Sequence, residues 1–308
     1  MFDYKKIIKS RSLRVKLLHI LSFVPDKIMV KFQYLIKTGR KLNLKNPQRF
    51  TEKLQWYKLF YRDNVMPLCV DKYEVRKYVE ECGLGHLLVP LLGIYFYPDE
   101  IDFGKLPNQF VIKDTLGGGG NSVIICKDKA TLDIAELKST LHNWVKTYNG
   151  KHSGREWVYD HAQHRIIIEE YIPSDPQDGG LIDYKFLSFN GKINYLYVIA
   201  DRTLGAGAGF GFFTRNFEQL PYTRNDERPL TRKLTKPDNF DELIKYAEIL
   251  GRKFPHARID MYDQNGIIYF GEITFFDGSG YMVYDPDDFD FVLGNEFELP
   301  KDCLSVKH

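Results

Sequence analysis

Residues 257–274 read ARIDMYDQNGIIYFGEIT, two apolar runs around Asp263-Gln264-Asn265-Gly266. An Asn-Gly pair between alternating runs predicts a β-hairpin with a tight turn. Strand side chains alternate with a period of two, so Arg258 and Asp260 share one face of the first strand, and Glu272 and Thr274 one face of the second. Carboxylates on neighbouring strands suit a hard cation such as magnesium, which takes oxygen ligands and commonly keeps a nucleotide phosphate among them. An arginine beside them can grip a phosphate oxygen through a forked pair of hydrogen bonds. The stretch reads as a metal and phosphate site, although a half-exposed hairpin with solvated charges would carry the same residues.

Around it lie 308 residues, 44% hydrophobic and 15% aromatic, enough to bury a core spread over two or three subdomains and inconsistent with a disordered chain. The net charge of +2 conceals an asymmetry: residues 1–49 hold thirteen Lys/Arg against Asp3 and Asp26, a local +11 that leaves −9 for residues 50–308. Such a leader points to an anionic partner, either a membrane surface, an acidic polysaccharide or a nucleic acid. Nucleic acid is the least expected of these, because the charge is confined to the leader and no recognised binding motif accompanies it. Cys69, Cys82, Cys126 and Cys303 form no C-x-x-C pair, so reduced thiols in a cytoplasm are expected rather than zinc or disulfides. The apolar run 17–24 is interrupted by His19, meets Pro25-Asp26-Lys27 and lacks a small-residue cleavage site, so no secretory signal is expected. No run approaches the roughly 20 apolar residues of a membrane-spanning helix, so membrane contact would be peripheral, on the inner face, through residues 1–40.

Taken in order, residues 5–40 show helical spacing (Leu17, Ile20, Leu21, Val24, then Ile28, Phe32, Leu35, Ile36), divided at Pro25. Thr51 is the expected cap of a helix running into Trp56 and Phe60, Asp71 that of another through about Cys82, and 89–96 reads as a short buried strand. A boundary is placed near Pro107. The strand Phe110–Lys113 leads into Gly117, Gly118, Gly119 and Gly120, where missing side chains would let backbone N–H groups approach phosphate, with the Lys113 ammonium at the loop's base. The loop matches neither a Walker nor a dinucleotide pattern. A helix over 132–148 follows, then the aliphatic strand RIIIEEYI (165–172) and a hairpin about Asn190-Gly191 that puts Asp183 and Lys185 on one face. LGAGAGFGFF (204–213) reads as a second glycine-rich loop, a mobile flap. Residues 239–254 read as a helix, and the tail from Tyr281 as irregular, its acids solvated.

This order of elements resembles an ATP-grasp enzyme. With N-P-x-x-F-x-E-K-x-Q-W at 46–56 and D-K-Y-x-V-R at 71–76, it resembles more closely the TupA-like ATP-grasp family, associated with bacterial surface polysaccharide and teichuronopeptide synthesis, over residues 41–285. The resemblance implies an α+β fold with two subdomains clamping ATP. We divide the chain into a basic, mostly helical leader (1–50), a helical or mixed subdomain (51–107), a lid (108–180) and a catalytic subdomain (181–308). It further implies that Lys113, and as a further candidate Lys72, contacts the ATP phosphates under the Gly117–Gly120 loop. Glu169, Glu170, Tyr171 and Ile172 would hold adenine, Asp183 the ribose, and Lys185 would lie near phosphate. Asp260 and Glu272 would coordinate Mg²⁺, and Arg258 would stabilise the phosphate or a tetrahedral intermediate. Many ATP-grasp enzymes show E-x-N where this chain has Thr274, which puts a second metal in doubt, and the usual N-terminal domain is hard to find in the first hundred residues.

The chemistry so implied is attack of a carboxylate on the γ-phosphate of ATP, followed by displacement of phosphate from the acyl phosphate by an amine. The substrates expected are an amino acid and a uronic acid or amino sugar of a capsular or cell-wall polysaccharide, with Arg202, Arg215 and Arg224 as candidate acceptor contacts. The competing readings are a glycosyltransferase, for which Asp285/Asp287 or Asp288/Asp290 would serve as a D-x-D, and a non-catalytic polysaccharide-binding protein.

Overall fold

The computed structural model describes Leu18 and residues 20–118, 120, 122–146, 151–174, 179–202 and 207–301. The expected leader helix over 5–17, Gly119, Leu204–Ala206 of the expected flap and Cys303 lie outside them. Two sheets carry the fold, antiparallel throughout except for one short parallel pair at the edge of the larger. The smaller is ordered β1–β4–β2–β3 and comprises Leu91–Tyr95 (β1), Phe110–Asp114 (β2), Val123–Cys126 (β3) and Ile166–Glu170 (β4). One side of it packs on helix Ile134–Trp144 through Phe110, Ile112, Ile168, Leu137 and Leu141, a core of its own. Because β1 pairs with β4, this sheet takes in residues N-terminal to Pro107. The segment expected as a buried strand at 89–96 is thus a half-exposed edge strand, with a partner on one side only.

The larger sheet follows the order β11–β10–β5–β6–β7–β9, from Asp183–Phe189 (β5), Lys192–Ala200 (β6), Gly209–Thr214 (β7), Arg228–Pro229 (β9), His256–Gln264 (β10) and Ile267–Thr274 (β11). Both Asn-Gly turns form as expected, Asn190/Gly191 and Asn265/Gly266 all at positive φ, a conformation that fits the twist of the flanking strands. The hairpin of β10 and β11 contains one irregularity. Asp260 faces Glu272 but Met261 faces Phe270, leaving Gly271 as an extra residue, and a Cβ there would lie 3.0 Å from the Asp260 carbonyl oxygen. Helices Phe50–Phe60, Met66–Val70, Val75–Glu81 and Phe240–Gly251 share the core of this sheet.

Three local expectations are corrected. Residues 209–213 are not a flap but a buried strand: Gly209 and Gly211 leave room for Leu230, which a Cβ would meet at 3.0 and 3.4 Å. Helix Phe50–Phe60 is capped not by Thr51 but by Glu52, whose carboxylate accepts from the N–H groups of Gln48 (3.0 Å) and Arg49 (3.2 Å). The tail is not irregular, since Tyr284–Asp285 (β12) pairs with Thr223–Arg224 (β8) and Phe289–Glu296 is a helix. Nor is its acid cluster wholly solvated. Asp290 is fully buried and accepts from the N–H (2.9 Å) and hydroxyl (2.8 Å) of Thr51, while Asp287 bonds Arg40 and Arg49.

His256 is enclosed by Phe50, Phe189 and Phe297, with Nδ1 3.0 Å from the Ser188 carbonyl and Nε2 unpartnered. Burial pushes its imidazole down to about 4. An unfolded imidazole protonates near 6.5, so between those values the unfolded chain binds more protons and stability is lost as pH drops, by up to about 3 kcal/mol across the window. Denaturant melts at pH 7 and pH 4.5 should show wild type losing more stability than His256→Gln, which cannot charge. Equal losses would refute the assignment.

Candidate active site

The strand order explains why residues far apart in sequence meet. β10 lies between β5 and β11, and its register sets Asp260 against Lys185 on one side and Glu272 on the other, with Arg258 opposite Thr274. Arg258 is the hub of the cluster. Its guanidinium donates to both Asp260 oxygens (2.7 Å each), to Glu272 (2.8 Å), to the Thr274 hydroxyl (3.0 Å), to the Tyr197 hydroxyl (3.0 Å) and to Asp277 (2.5 Å). Lys185 lies between Asp183 (2.8 Å) and Asp260. Burial works against the Lys185 charge, but Asp183 and Asp260 outweigh it and hold the ammonium above its ordinary value. Burial likewise pushes Glu272 up, while Lys72, Arg258 and Lys185 prevail and keep it below the usual carboxylate range.

A second group lies on the small sheet. β2 pairs with β4, placing the Lys113 ammonium 2.6 Å from Glu169, whose other oxygen is 3.3 Å from Arg76. Glu169 is buried and Glu170, the last residue of β4, is exposed, while Tyr171 and Ile172 are half-buried. A narrow cleft runs between Lys72, Arg76, Lys113 and Glu169 on one side and Phe270-Gly271 of the large sheet on the other. Lys72 links the two halves: its ammonium donates to the Gly117 carbonyl (2.6 Å) and lies 3.8 Å from Glu272. Gly117 is needed for close packing, since a Cβ would fall 2.5 Å from that of Ser122, and Gly120 has φ +72. Gly118 faces open space. A cavity of about 370 Å³ opens beside Leu116, which precedes the glycines, and is lined also by Asp71, Glu74, Asp160 and Arg165.

Sequence reasoning missed three members, Arg76, Asp277 and Tyr197. Arg76 sits one helical turn after Lys72, and its place in D-K-Y-x-V-R was a usable signal. Asp277 gave none. It is buried in a turn whose Gly278, Ser279 and Gly280 all have positive φ, and it accepts from Arg258 and from Tyr197 (3.0 Å). Gln55 and Lys58 of helix Phe50–Phe60 hold this turn from behind, donating to the Ser279 carbonyl at 2.9 and 2.8 Å.

The three arginines considered for the acceptor separate. Arg202 bonds Asp183 (2.6 Å), and buried Arg224 bonds Asp226 (2.9 Å) and lies 3.9 Å from Asp277, so both border the cluster. Arg215 bonds Glu248 and the Ile193 carbonyl (2.8 Å), neither of them part of it. Of the acids offered as a D-x-D, Asp287 and Asp290 are engaged as described, Asp288 accepts from the Tyr222 hydroxyl (3.4 Å) and Asp285 is exposed.

As for magnesium, no group of three or more His, Cys, Asp or Glu is placed to hold a metal among the described residues. Asp260, Glu272 and Thr274 still offer hard oxygens on adjoining strands, a donor set that fits a cation keeping water and phosphate among its ligands. The buried Asp183 Oδ1 has no hydrogen-bond partner, as a carboxylate awaiting a hydroxyl would.

Two α+β units meet at surfaces lined by lysine, arginine and carboxylate side chains. The family model described as TupA-like ATPgrasp matches residues 52–298, and the chain belongs to that family and has the ATP-grasp fold. No curated protein sequence matches it. Among solved structures it is similar to the D-alanine–D-alanine ligase from Bacillus anthracis, with 20% identity over 73% of this chain and 63% of that one at TM-score 0.41. The Helicobacter pylori D-alanine–D-alanine ligase gives 15%, 82%, 70% and 0.44, and the ATP-grasp ligase PsnB, complexed with a precursor variant, Mg and ADP, gives 11%, 80%, 64% and 0.42. The chain thus spans less than two thirds of the Bacillus anthracis ligase's length. The family assignment rests on the sequence match, not on these distant likenesses.

Proposed function

We propose that the protein is an ATP-dependent carboxylate–amine ligase that forms an amide through an acyl phosphate, joining an amino acid to a uronic acid or amino sugar of a bacterial surface polysaccharide. The supporting observation is the convergence of Arg258, Lys185, Asp260, Glu272 and Thr274 on one face of three neighbouring strands, across from Lys113, Glu169 and Arg76. In this reading Lys113 and Lys72 neutralise ATP phosphates and the Gly117–Gly120 loop closes over them. Backbone groups of 169–172 take the adenine, and Asp183 the ribose. Asp260, Glu272 and Thr274 would hold Mg²⁺, which supplies charge neutralisation at the transferred phosphoryl group. Arg258, fixed by Asp277 and Tyr197, meets the negative charge that grows as the amine attacks, and does so without reorganising. In this reading Arg202 and Arg224 would contact an acidic acceptor. The location proposed is cytoplasmic; among the described residues no helix is long and apolar enough to cross a membrane.

The test is Mg²⁺-dependent ADP release with uronic-acid glycans, amino sugars and a panel of amino acids. Release that needs one sugar and one amino acid together, and is lost in Glu272→Ala, is the expected result. ATP turnover with no partner pair, or release driven by a nucleotide sugar, would overturn the ligase reading.

A further inference from the structure

Helix Asp26–Thr38 is apolar on its outer side as well as on its inner one. It buries Gln33 and Thr38 along with Met29, Val30 and Tyr34, yet leaves Ile28, Phe32 and Leu35 at 60%, 56% and 46% exposure. These three fall at i, i+4 and i+7, a single stripe, and exposed Lys27 and Lys31 line one edge of it. Just before the helix, Ile20 and Phe23 are 67% and 79% exposed. The mixed inner face is firmly held. Gln33 donates to the Ser153 carbonyl (3.0 Å) and accepts from the Tyr281 hydroxyl (2.6 Å), Tyr34 bonds Thr51 (2.9 Å), and Arg155 donates to the Leu21 carbonyl (2.7 Å). The helix is bolted to the turn that carries Asp277, with its apolar stripe outward.

We propose that this face, Ile20, Phe23, Ile28, Phe32 and Leu35, docks on an anionic lipid bilayer. Charge complementarity selects that occupant: the stripe lies in the segment with thirteen Lys/Arg against two acids. An interfacial helix of this kind inserts its apolar side chains about 5–10 Å while its cations meet the headgroups. Apolar insertion and basic charge supply the two signals that stable peripheral binding requires. Docked so, the protein would present the Ser279–Tyr281 turn, on the inner side of the same helix, near the membrane surface.

The test is co-sedimentation of the full chain with phosphatidylcholine vesicles, with and without phosphatidylglycerol, for wild type and Phe23→Glu/Phe32→Glu. Wild type should bind only the anionic vesicles, with affinity falling as salt rises from ~0.1 M to ~1 M and the screening length drops from about 10 to 3 Å. The double variant, melting at the wild-type temperature, should bind at least about tenfold more weakly, as loss of two inserted aromatic side chains implies. Equal binding by variant and wild type, or binding to a soluble acidic glycan in place of vesicles, would mean that the charge acts alone and the proposal fails. A wild-type dimer that the variant turns into monomers, with no vesicle binding, would assign the face to a second copy and also overturn it.

Discussion

Arg258→Met should abolish ligation and also destabilise the fold. The guanidinium is the shared partner of Asp260, Asp277 and Glu272, two of them almost fully buried. Burial raises the Asp277 carboxyl, but Arg258 and Arg224 hold it below the usual range. Without Arg258, Asp277 keeps Tyr197 and a distant Arg224, and Asp260 keeps Lys185 alone. Removing one partner from a buried charge network typically costs about 3–5 kcal/mol, because the remaining charges are left uncompensated. The rate should suffer separately, on the order of 10²–10³ for a preorganised donor at a developing negative charge. Denaturant melts and ADP release would be measured together. Arg258→Lys keeps the charge but not the fork, so it should recover part of the stability and little of the rate. A Met variant that is as stable as wild type and still turns over at the wild-type rate would remove Arg258 from the site.

Lys113→Ala should do the opposite, leaving stability nearly intact while weakening ATP. Its partner Glu169 is buried, but Arg76 stays within 3.3 Å to balance it, and the lysine itself is 24% exposed. A partly exposed pair of this kind contributes about 1 kcal/mol or less. Loss of a phosphate contact in a closed cleft is worth more, so KM for ATP should rise about tenfold to a hundredfold, as expected for a charge-assisted hydrogen bond of about 1.5–3 kcal/mol. Arg76→Ala should weaken ATP less, and the double variant should lose stability beyond the sum of the two, since Glu169 is then buried without a cation. Additive losses in stability, or an unchanged KM in Lys113→Ala, would show that the Lys113–Glu169 pair only braces the sheet.

The contrast between these two variants follows from where each residue's partners come from. The Arg258, Asp260, Glu272 and Thr274 set was legible because strand alternation and Asn-Gly turn chemistry are local rules, and both turns form at positive φ as those rules require. Lys113 and the glycines were legible through composition at a strand end. The Gly271 bulge, by contrast, preserves the pairing of Asp260 with Glu272 while shifting every pair beyond it, and no local pattern announces it. Composition also misled at Gly209–Thr214, where glycines serve close packing against Leu230 and the same letters would serve a loop. The tail misled for a related reason, since Asp290 looks like surface until Thr51, 239 residues away, supplies its donors.

The sequence by itself determined the two hairpins, the strand faces that carry the charged residues and the family to which the chain belongs. Only the tertiary structure decided that β10 lies between β5 and β11, so that Lys185 meets Asp260 and Asp277 completes the Arg258 network. It alone turned the apolar stripe of helix Asp26–Thr38 outward. Such choices depend on which surfaces bury each other across long stretches of chain. A buried charge is tolerated only where a partner from another element arrives to balance it, and that arrival is a property of the packed molecule rather than of any window of sequence.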